Sequence, residues 1–207
     1  MKEFENNIVK VVGEIVAPLT PSHEVFGEGF YETVIGIERK SEYVDLIPVM
    51  VSERLMDVSE DWVGQVVSIV GEFRSFNDHS TEKSRLKLYL FAKEIECVDW
   101  KLEHKNEIFL RGHICKEPIY RKTPQGREIA DVLVAVNRGY GKSDYIPCIT
   151  WGRNARFVGE MKIGTYLELE GRIQSRDYVK KYPDAKEGEI LEEVRTAFEV
   201  SVSKIEM

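Results

Sequence analysis

The side chains that could do chemistry in this sequence are aromatic rings and cations that recur at strand spacing. Tyr145 and Trp151 are six residues apart, an even number, so both would point to one face of an extended strand. A second series, at two-residue spacing, contains Arg172, Gln174, Arg176 and Tyr178. Exposed rings can stack on bases and cations can contact phosphates, and this combination binds single-stranded nucleic acid of any sequence.

Further basic residues surround these two series in segments that we predict to be loops. They are Arg121, Lys122, Arg127, Arg138, Lys142, Lys180 and Lys181, with Tyr140 as one more ring among them. Residues 106–181 hold 14 Lys/Arg and 9 Asp/Glu, although the whole chain has a net charge of −7. A locally basic surface attracts a polyanion. These rings and cations are therefore a candidate surface for single strands, with phosphate contacts predicted for Arg172, Arg176 and the loop cations.

Each of these residues also has a plainer structural interpretation. Trp151 could cover the end of a barrel where a helix begins, and Tyr145 and Tyr178 could be ordinary half-exposed strand residues. A single Lys or Arg is often only a solvated surface charge. Tyr166 has the same parity, but Glu168 would repel phosphate, so we expect Tyr166 to pack. The binding interpretation therefore depends on the whole set.

The chain repeats one pattern at a spacing of 99 or 100 residues. Asn7 to Gly13 reads NIVKVVG and Asn106 to Gly112 reads NEIFLRG. Pro48 and Pro147 are 99 residues apart, and Gly71 and Gly171 are 100 apart. A register sustained in this way indicates two copies of one unit. We predict a first domain at 1–98, a linker at 99–105 and a second domain at 106–207.

Hydrophobic alternation and turn signals predict an all-β fold for each copy. In the second copy they predict strands at 107–115, 129–137, 145–151, 165–175 and 196–205, and a charged loop at 176–195. A short helix is predicted at 154–161, with Asn154 as its N-cap. Five strands with a helix between the third and fourth are the order of an OB-fold barrel. The first copy shows the same order, with its helix candidate at 53–61, so we predict two tandem five-stranded OB-folds.

The second copy resembles the bacterial single-stranded DNA-binding proteins. The resemblance lies in NEIFLRG at 106–112, AVNRGY at 135–140, DYIPCITWGRNA at 144–155 and GTYLELEGRIQSRDY at 164–178. It implies an OB-fold that binds single strands without strong sequence preference. It also places Tyr145, Trp151 and Tyr178 at the stacking positions of the family, with Tyr140 near a fourth. Four OB-folds per particle are implied too, which a homodimer of this chain would supply.

The first copy departs from that pattern. Glu72 stands where the second copy has Arg172, Asp78 where it has Tyr178, and Val51 or Ser52 where it has Trp151. Residues 1–103 hold 11 Lys/Arg and 20 Asp/Glu, a net charge of −9. An acidic face repels a polyanion, so we expect the first copy not to bind nucleic acid in the same way. We expect the first copy to have an assembly role or to contact replication or repair proteins. The resemblance implies that an acidic tail makes such contacts in the family, and we expect the acidic first copy to replace it here.

Several other classes of protein are disfavoured. Gly141-Lys142-Ser143 lacks the earlier glycine of a phosphate loop, and no hydrolase or metalloprotease motif is present, so we expect neither an enzyme nor a cofactor. Three scattered cysteines argue against disulfides and against a zinc site. No apolar run is long enough for a membrane span, and a cytoplasmic, nucleoid-associated protein is expected. Two alternatives stay open: single-stranded RNA as the ligand, and a primosome-type protein-interaction module that binds DNA weakly.

Overall fold

The computed structural model describes residues 5–78, 85–99, 101–183 and 190–207, most of which lie in β-strands. The strands of the first copy are β1 (Asn7–Ile15), β2 (Thr20–Val25), β3 (Glu28–Glu38), β4 (Val44–Ser52), β5 (Val66–Asp78) and β6 (Arg85–Cys97). Those of the second copy are β7 (Lys105–Ile114), β8 (Ile119–Lys122), β9 (Glu128–Arg138), β10 (Lys142–Trp151), β11 (Tyr166–Pro183) and β12 (Ile190–Glu206). A 3₁₀ turn at Gly139–Gly141 follows β9, and the helix α1 (Arg153–Gly159) follows β10. This helix is the one α-helix in the described ranges, and its seven residues fall far short of a membrane span.

Strand pairings run around a closed ring in each copy. The ring of the first copy is β1–β3–β4–β6–β5, and that of the second is β7–β9–β10–β12–β11. The β4–β6 and β10–β12 pairings are parallel, and the other described pairings are antiparallel. The short strands β2 and β8 extend each ring beside β3 and β9. The two copies are joined where β1 pairs with β7, from Asn7 opposite Leu110 to Val12 opposite Lys105.

Each ring encloses a core of aliphatic side chains. Ile35, Ile69 and Phe73 are fully buried in the first copy, and Leu110 and Ile146 in the second. Because side chains alternate along a strand, burying one face turns the other outward. This outward side of each ring is called the outer face below.

The repeated asparagine of the two copies replaces missing strand pairing. The Asn7 side chain donates to the carbonyl of Phe73 at 2.8 Å and accepts from its N–H at 2.9 Å. Asn106 makes the same two bonds to Ile173, at 2.7 and 2.9 Å. An amide that offers one donor and one acceptor satisfies both backbone groups just beyond the end of the ladder. The repeat of this residue therefore has a structural reason.

The repeated glycines at 71 and 171 lie at β-bulges. The register of β11 against β12 shifts between Glu170 and Gly171, and that of β5 against β6 shifts between Val70 and Gly71. A Cβ on Gly171 would lie 2.3 Å from the carbonyl oxygen of Ser201, so the backbones leave no room for a side chain. The 100-residue spacing of these glycines follows from the same bulge in both copies.

The helix predicted over Glu53–Asp61 is not formed, and this part of the expectation was wrong. The segment is a series of turns. Asp57 accepts bonds from the N–H and the hydroxyl of Ser59, and the Trp62 indole donates to the carbonyl of Asp57 at 2.8 Å. Such local side-chain bonds compete with helical hydrogen bonding.

The prediction of a loop over 176–195 was also wrong for residues 176–183 and 190–195, while 184–189 lie outside the described residues. The strands β11 and β12 continue as a long hairpin whose pairing extends to Pro183 opposite Ile190. The charged residues are compatible with strands because the hairpin extends beyond the barrel into solvent, where its polar side chains need not be buried. In the second copy the predicted helix is present, but its N-cap is Gly152, and Asn154 donates instead to the carbonyl of Ser203 at 3.3 Å.

Candidate nucleic-acid interface

The strand β10 turns two aromatic rings outward. Asp144, Ile146 and Cys148 are buried, whereas 42% of Tyr145 and 38% of Trp151 are exposed. Both rings lie on the outer face of the second copy, as their even spacing predicted, although Ile149 on the same face is buried. Fully buried packing is therefore not the role of either ring.

The indole of Trp151 is oriented by a neighbouring strand. Its Nε1–H donates to the hydroxyl of Ser201 on β12 at 3.2 Å. Ser201 lies opposite Ile149 of β10 and also opposite Arg172 of β11. Arg172 is paired with Ser201, and Trp151 is hydrogen-bonded to the same serine, so Ser201 links the ring to the strand that carries the cation. Stacking surface and positive charge thus meet where a base and its phosphate could both be contacted.

The series on β11 faces outward as predicted, but its members differ in how available they are. Tyr178 is 39% exposed. Gln174 is buried and donates to Glu199 at 2.7 Å, so its amide is already used. Arg176 lies 3.7 Å from the same carboxylate and is mostly exposed.

Arg172 lies between the two copies. Its guanidinium is 3.7 Å from the carboxylate of Asp45 in the first copy. Burial, followed by repulsion from Arg39, lowers the pKa of Arg172, and Asp45 counteracts this only in part. An arginine stays charged after any such shift, so this side chain is a cation whose solvation is incomplete. A phosphate would replace the solvation that burial removes.

The cations predicted for loops are spread over two places. Arg121 and Lys122 lie on the strand β8, and Arg121 binds Asp131 through bonds of 2.9 and 3.2 Å. Hydrogen bonding to Asp131 raises the pKa of Arg121. Arg121 is opposite Ile129, which is itself opposite Trp151, so it shares the outer face. Arg127 and Lys122 are exposed at this end of the barrel.

Arg138 and Lys142 are not close to this group. They line a groove beside the first copy, and Arg138 lies 3.5 Å from Asp144. Burial raises the pKa of Asp144 above its ordinary range, more than the Ser75 N–H and Arg138 lower it. The side chains of Tyr140, Lys180 and Lys181 lie outside the described residues. Within the described ranges, no group of three or more His, Cys, Asp or Glu side chains is placed to hold a metal ion.

Residues 105–207 match the model of the Single-strand binding protein family. This half of the chain belongs to that family.

Curated relatives support the assignment. The chain is 38% identical over 80 residues to single-stranded DNA-binding protein A of Bacillus subtilis, covering 35% of this chain and 46% of the relative. It is 36% identical over 80 residues to single-stranded DNA-binding protein 1 of Staphylococcus aureus, covering 35% and 48%. The chain thus spans about half the length of the curated relatives that it matches.

A solved member of the family shares the fold over both copies. The wild-type single-stranded DNA binding protein from Thermus aquaticus superimposes with a TM-score of 0.70, at 17% identity. The superposition covers 97% of this chain and 91% of that one. The prediction of an all-β chain with tandem OB-folds is confirmed, except for the helix of the first copy.

The first copy carries different residues at the positions of the rings predicted to stack. By strand pairing, Ser52 is the counterpart of Trp151, and Leu46 is the counterpart of Tyr145. The counterpart of Arg172 is Glu72, which pairs with Arg74 at 2.8 Å and with Lys93 at 2.6 Å. Burial opposes the charge of Glu72, but these two cations outweigh it and hold the pKa below its ordinary value.

Sequence reasoning missed other aromatic residues on the same outer face of the first copy. Phe91 of β6 occupies the position of Ser201, and Phe30 of β3 occupies that of Ile129. The signal was present in Lys87, Tyr89 and Phe91, a cation and two rings at two-residue spacing. Rings and cations at this spacing are typical of a surface that binds single strands, but these residues do not stand at the positions of the rings predicted in the second copy.

Proposed function

We propose that this chain binds single-stranded DNA without strong sequence preference, chiefly through the outer face of the second copy. The observation that carries the proposal is that Ser201 links the exposed ring of Trp151 to the strand that carries the cation Arg172. The names of the relatives, single-stranded DNA-binding proteins, support the same ligand. In this function Trp151, Tyr145, Tyr178 and Tyr140 stack on bases, because any base offers a π-face. The residues proposed to contact phosphates are Arg121, Lys122, Arg127, Arg138, Lys142, Arg172, Arg176, Lys180 and Lys181.

Binding of labelled oligo-dT by the full chain, measured by fluorescence anisotropy at several salt concentrations, tests this proposal. Duplex DNA of the same length is the control, because its bases cannot stack on protein rings without unpairing. We expect tight binding of oligo-dT, weaker binding of the duplex, and an affinity for oligo-dT that falls linearly with salt on logarithmic axes. Equal affinity for both would contradict a stacking mechanism.

The natural sugar is decided by a second competitor. Stacking and phosphate contacts do not distinguish ribose from deoxyribose, so oligo-U should be compared directly with oligo-dT. Preference for oligo-U would make RNA the ligand. Absence of binding to all three would favour the protein-interaction alternative.

We also propose that the chain, with domains at 1–98 and 106–207 joined by a linker at 99–105, forms a homodimer with four OB-folds. The support is the family resemblance together with two closed strand rings per chain. Sedimentation equilibrium at micromolar concentration should give twice the chain mass of 23.9 kDa. A monomer, or a tetramer of chains, would contradict the proposal.

A further inference from the structure

A groove of about 580 Å³ runs along the outer face of the first copy and ends against the second copy. Its first-copy lining includes His23, Phe76, Tyr89 and Phe91. Two cations of the second copy, Arg138 and Lys142, complete it. The groove therefore lies mainly on the first copy, and the second copy supplies two of its cations.

The rings in and beside this groove are arranged as a series across three strands. His23 of β2 stacks on Phe30 of β3, with centroids 5.1 Å apart and planes 10° apart. Phe30 in turn lies 5.9 Å from Phe91 of β6, at 32°. Phe76 of β5 is 61% exposed at the groove. Aromatic surface that is partly exposed and held in place by neighbouring rings can stack on bases at little conformational cost.

The charge of the groove is opposite to that of the copy that carries it. Its lining contains the cations Arg74, Lys87, Arg138 and Lys142 and one acidic residue, Glu32. The guanidinium carbon of Arg74 lies 3.8 Å from the centroid of the Phe91 ring. Arg74 has an acidic partner outside the lining, Glu72 at 2.8 Å, and Arg138 has Asp144 at 3.5 Å. Repulsion from acidic groups more than about 10 Å away is largely screened at ordinary salt.

Arg138 is held less tightly than its counterpart in the first copy. Arg39 donates to both carboxylate oxygens of Asp45, through its Nε at 2.6 Å and also through its terminal nitrogen. Arg138 approaches Asp144 only to 3.5 Å, and its buried Nε makes no hydrogen bond among the described residues. The side chain as a whole is 30% exposed, so a phosphate in the groove could contact the exposed part of this guanidinium but not its Nε.

The groove leads directly to the second copy. Ser75 lines it, and the hydroxyl of Ser75 accepts a bond from the backbone N–H of Tyr145 at 2.8 Å. Tyr145 is the ring at the near end of the outer face of the second copy. A single DNA strand that leaves the groove therefore reaches the next stacking residue without crossing solvent.

We propose that this groove binds a second segment of the same DNA strand, stacking bases on Phe91 and Phe30 and placing phosphates near Arg74, Arg138 and Lys142. The inference rests on the proposed function of the second copy. In this proposal the first copy has a stacking surface of its own, on β6 and β3, and not on the strands that correspond to β10 and β11. The expectation that the first copy has no such surface would then be wrong.

The test is the dependence of affinity on the length of the DNA, measured with the full chain. One OB-fold covers about 4–16 nucleotides, so an oligo-dT of about 10 nucleotides is compared with one about three times longer. The double variant Phe30→Leu/Phe91→Leu keeps apolar bulk but removes the π-faces. We expect unchanged affinity for the short oligonucleotide and an affinity for the long one that is lower by about five-fold or more.

Phe109→Leu is the matched control, because Phe109 also lies beneath an arginine, with Arg111 at 4.8 Å, but stands outside the groove. It should leave both affinities unchanged. If the double variant gains as much affinity with length as the unchanged chain, the groove does not bind the strand. If the unchanged chain binds neither oligonucleotide, the proposed function itself fails, which is a different result.

Ultraviolet cross-linking of the unchanged chain to the long oligo-dT provides a second measurement that does not depend on how the variants fold. Mass spectrometry should find DNA attached to peptides containing Tyr89 and Phe91, besides those of the second copy. Cross-links confined to the second copy would overturn the inference. That pattern is expected if the groove binds a protein segment and not DNA.

Discussion

The carboxylate of Asp45 in the first copy accepts a hydrogen bond from the backbone N–H of Ser175 in the second copy, at 2.9 Å. The corresponding contact, with the two copies exchanged, joins Asp144 to the N–H of Ser75 at 2.8 Å. Each serine hydroxyl then accepts from the residue after the aspartate, with Tyr145 at 2.8 Å and Leu46 at 3.1 Å. The two copies are thus fastened by a symmetric pair of buried carboxylates beside the β1–β7 pairing.

Asp45→Ala should destabilise the chain strongly. The side chain of Asp45 is 1% exposed, so its removal leaves Arg39 and the Ser175 N–H without their acceptor. Breaking a buried ion pair costs about 3–5 kcal/mol, which urea denaturation would measure as a lower free energy of unfolding. Asp45→Asn is the control and should cost less, since its carbonyl can still accept from Ser175. A free energy for Asp45→Ala equal to that of the unchanged chain would mean that the contact contributes nothing.

Asp144 should make stability depend on pH in the opposite sense to a salt-bridged carboxylate. Its folded pKa is raised by burial, so the folded chain holds this proton more tightly than the unfolded chain does. Stability from this group is therefore greatest below the ordinary Asp pKa of about 3.9 and falls as pH rises through the higher folded pKa.

Denaturation of Asp144→Asn and of the unchanged chain at a series of pH values tests this effect. The stability of the variant relative to the unchanged chain should rise as the pH increases from about 3.9, the ordinary Asp pKa, to the higher folded pKa of Asp144, and then level off. The amide can still accept from the Ser75 N–H, so the hydrogen bond is matched in the two proteins. A difference that stays constant with pH would show that Asp144 titrates normally.

Gly171→Ala should lower the melting temperature and weaken DNA binding together. Its Cβ would lie 2.3 Å from the Ser201 carbonyl oxygen, so β12 must shift, and Ser201 holds Trp151. Overpacking of this kind costs about 1–3 kcal/mol. Gly139→Ala is the control, because a Cβ there meets nothing within 4 Å. Equal melting temperatures for the two variants would contradict the close approach at the bulge.

Trp151→Ala should weaken oligo-dT binding by about 1–3 kcal/mol, the value of one base stacked on a ring. It should also reduce the tryptophan quenching that oligo-dT causes, to which Trp62 contributes little because its indole is bonded to the carbonyl of Asp57. Trp151→Phe keeps a ring but loses the bond to Ser201 and should bind with intermediate affinity. If Trp151→Ala binds normally yet melts early, the residue is a structural cover of the barrel and does not stack.

Arg172→Gln should flatten the salt dependence of DNA binding. Each phosphate contact to a single strand adds about 0.7 to the slope of log affinity against log salt, so the variant should lose about that much. Arg111→Gln removes the same charge from β7, where Arg111 pairs with Glu168 at 3.2 Å, and should leave the slope unchanged. An equal loss in both variants would point to net charge alone and not to a contact.

Much of the fold and part of the site followed from local patterns. Alternation along 144–151 and 165–175 predicted which side chains would share a face, because successive side chains of a strand must point to opposite sides. The repeat of Asn7 as Asn106 and of Gly71 as Gly171 predicted two similar units. It did so because each copy needs its own asparagine at the end of a strand ladder and its own glycine at a bulge. The helix at 53–61 failed because side-chain bonds by Asp57 compete with a helical backbone.

The sequence by itself thus determined most of the barrel strands, their faces and the doubling of the fold, but not the short strands β2 and β8 or the hairpin that extends β11 and β12. Only the tertiary structure decided that Ser201 links Trp151 to the strand of Arg172, that Phe30 and Phe91 meet, and that Arg138 borders a groove of the other copy. These pairs are 21 to 61 residues apart or belong to different copies. Which strand lies beside which is set by the packing and hydrogen bonding of the whole ring, and the period of a single strand carries no information about its neighbour.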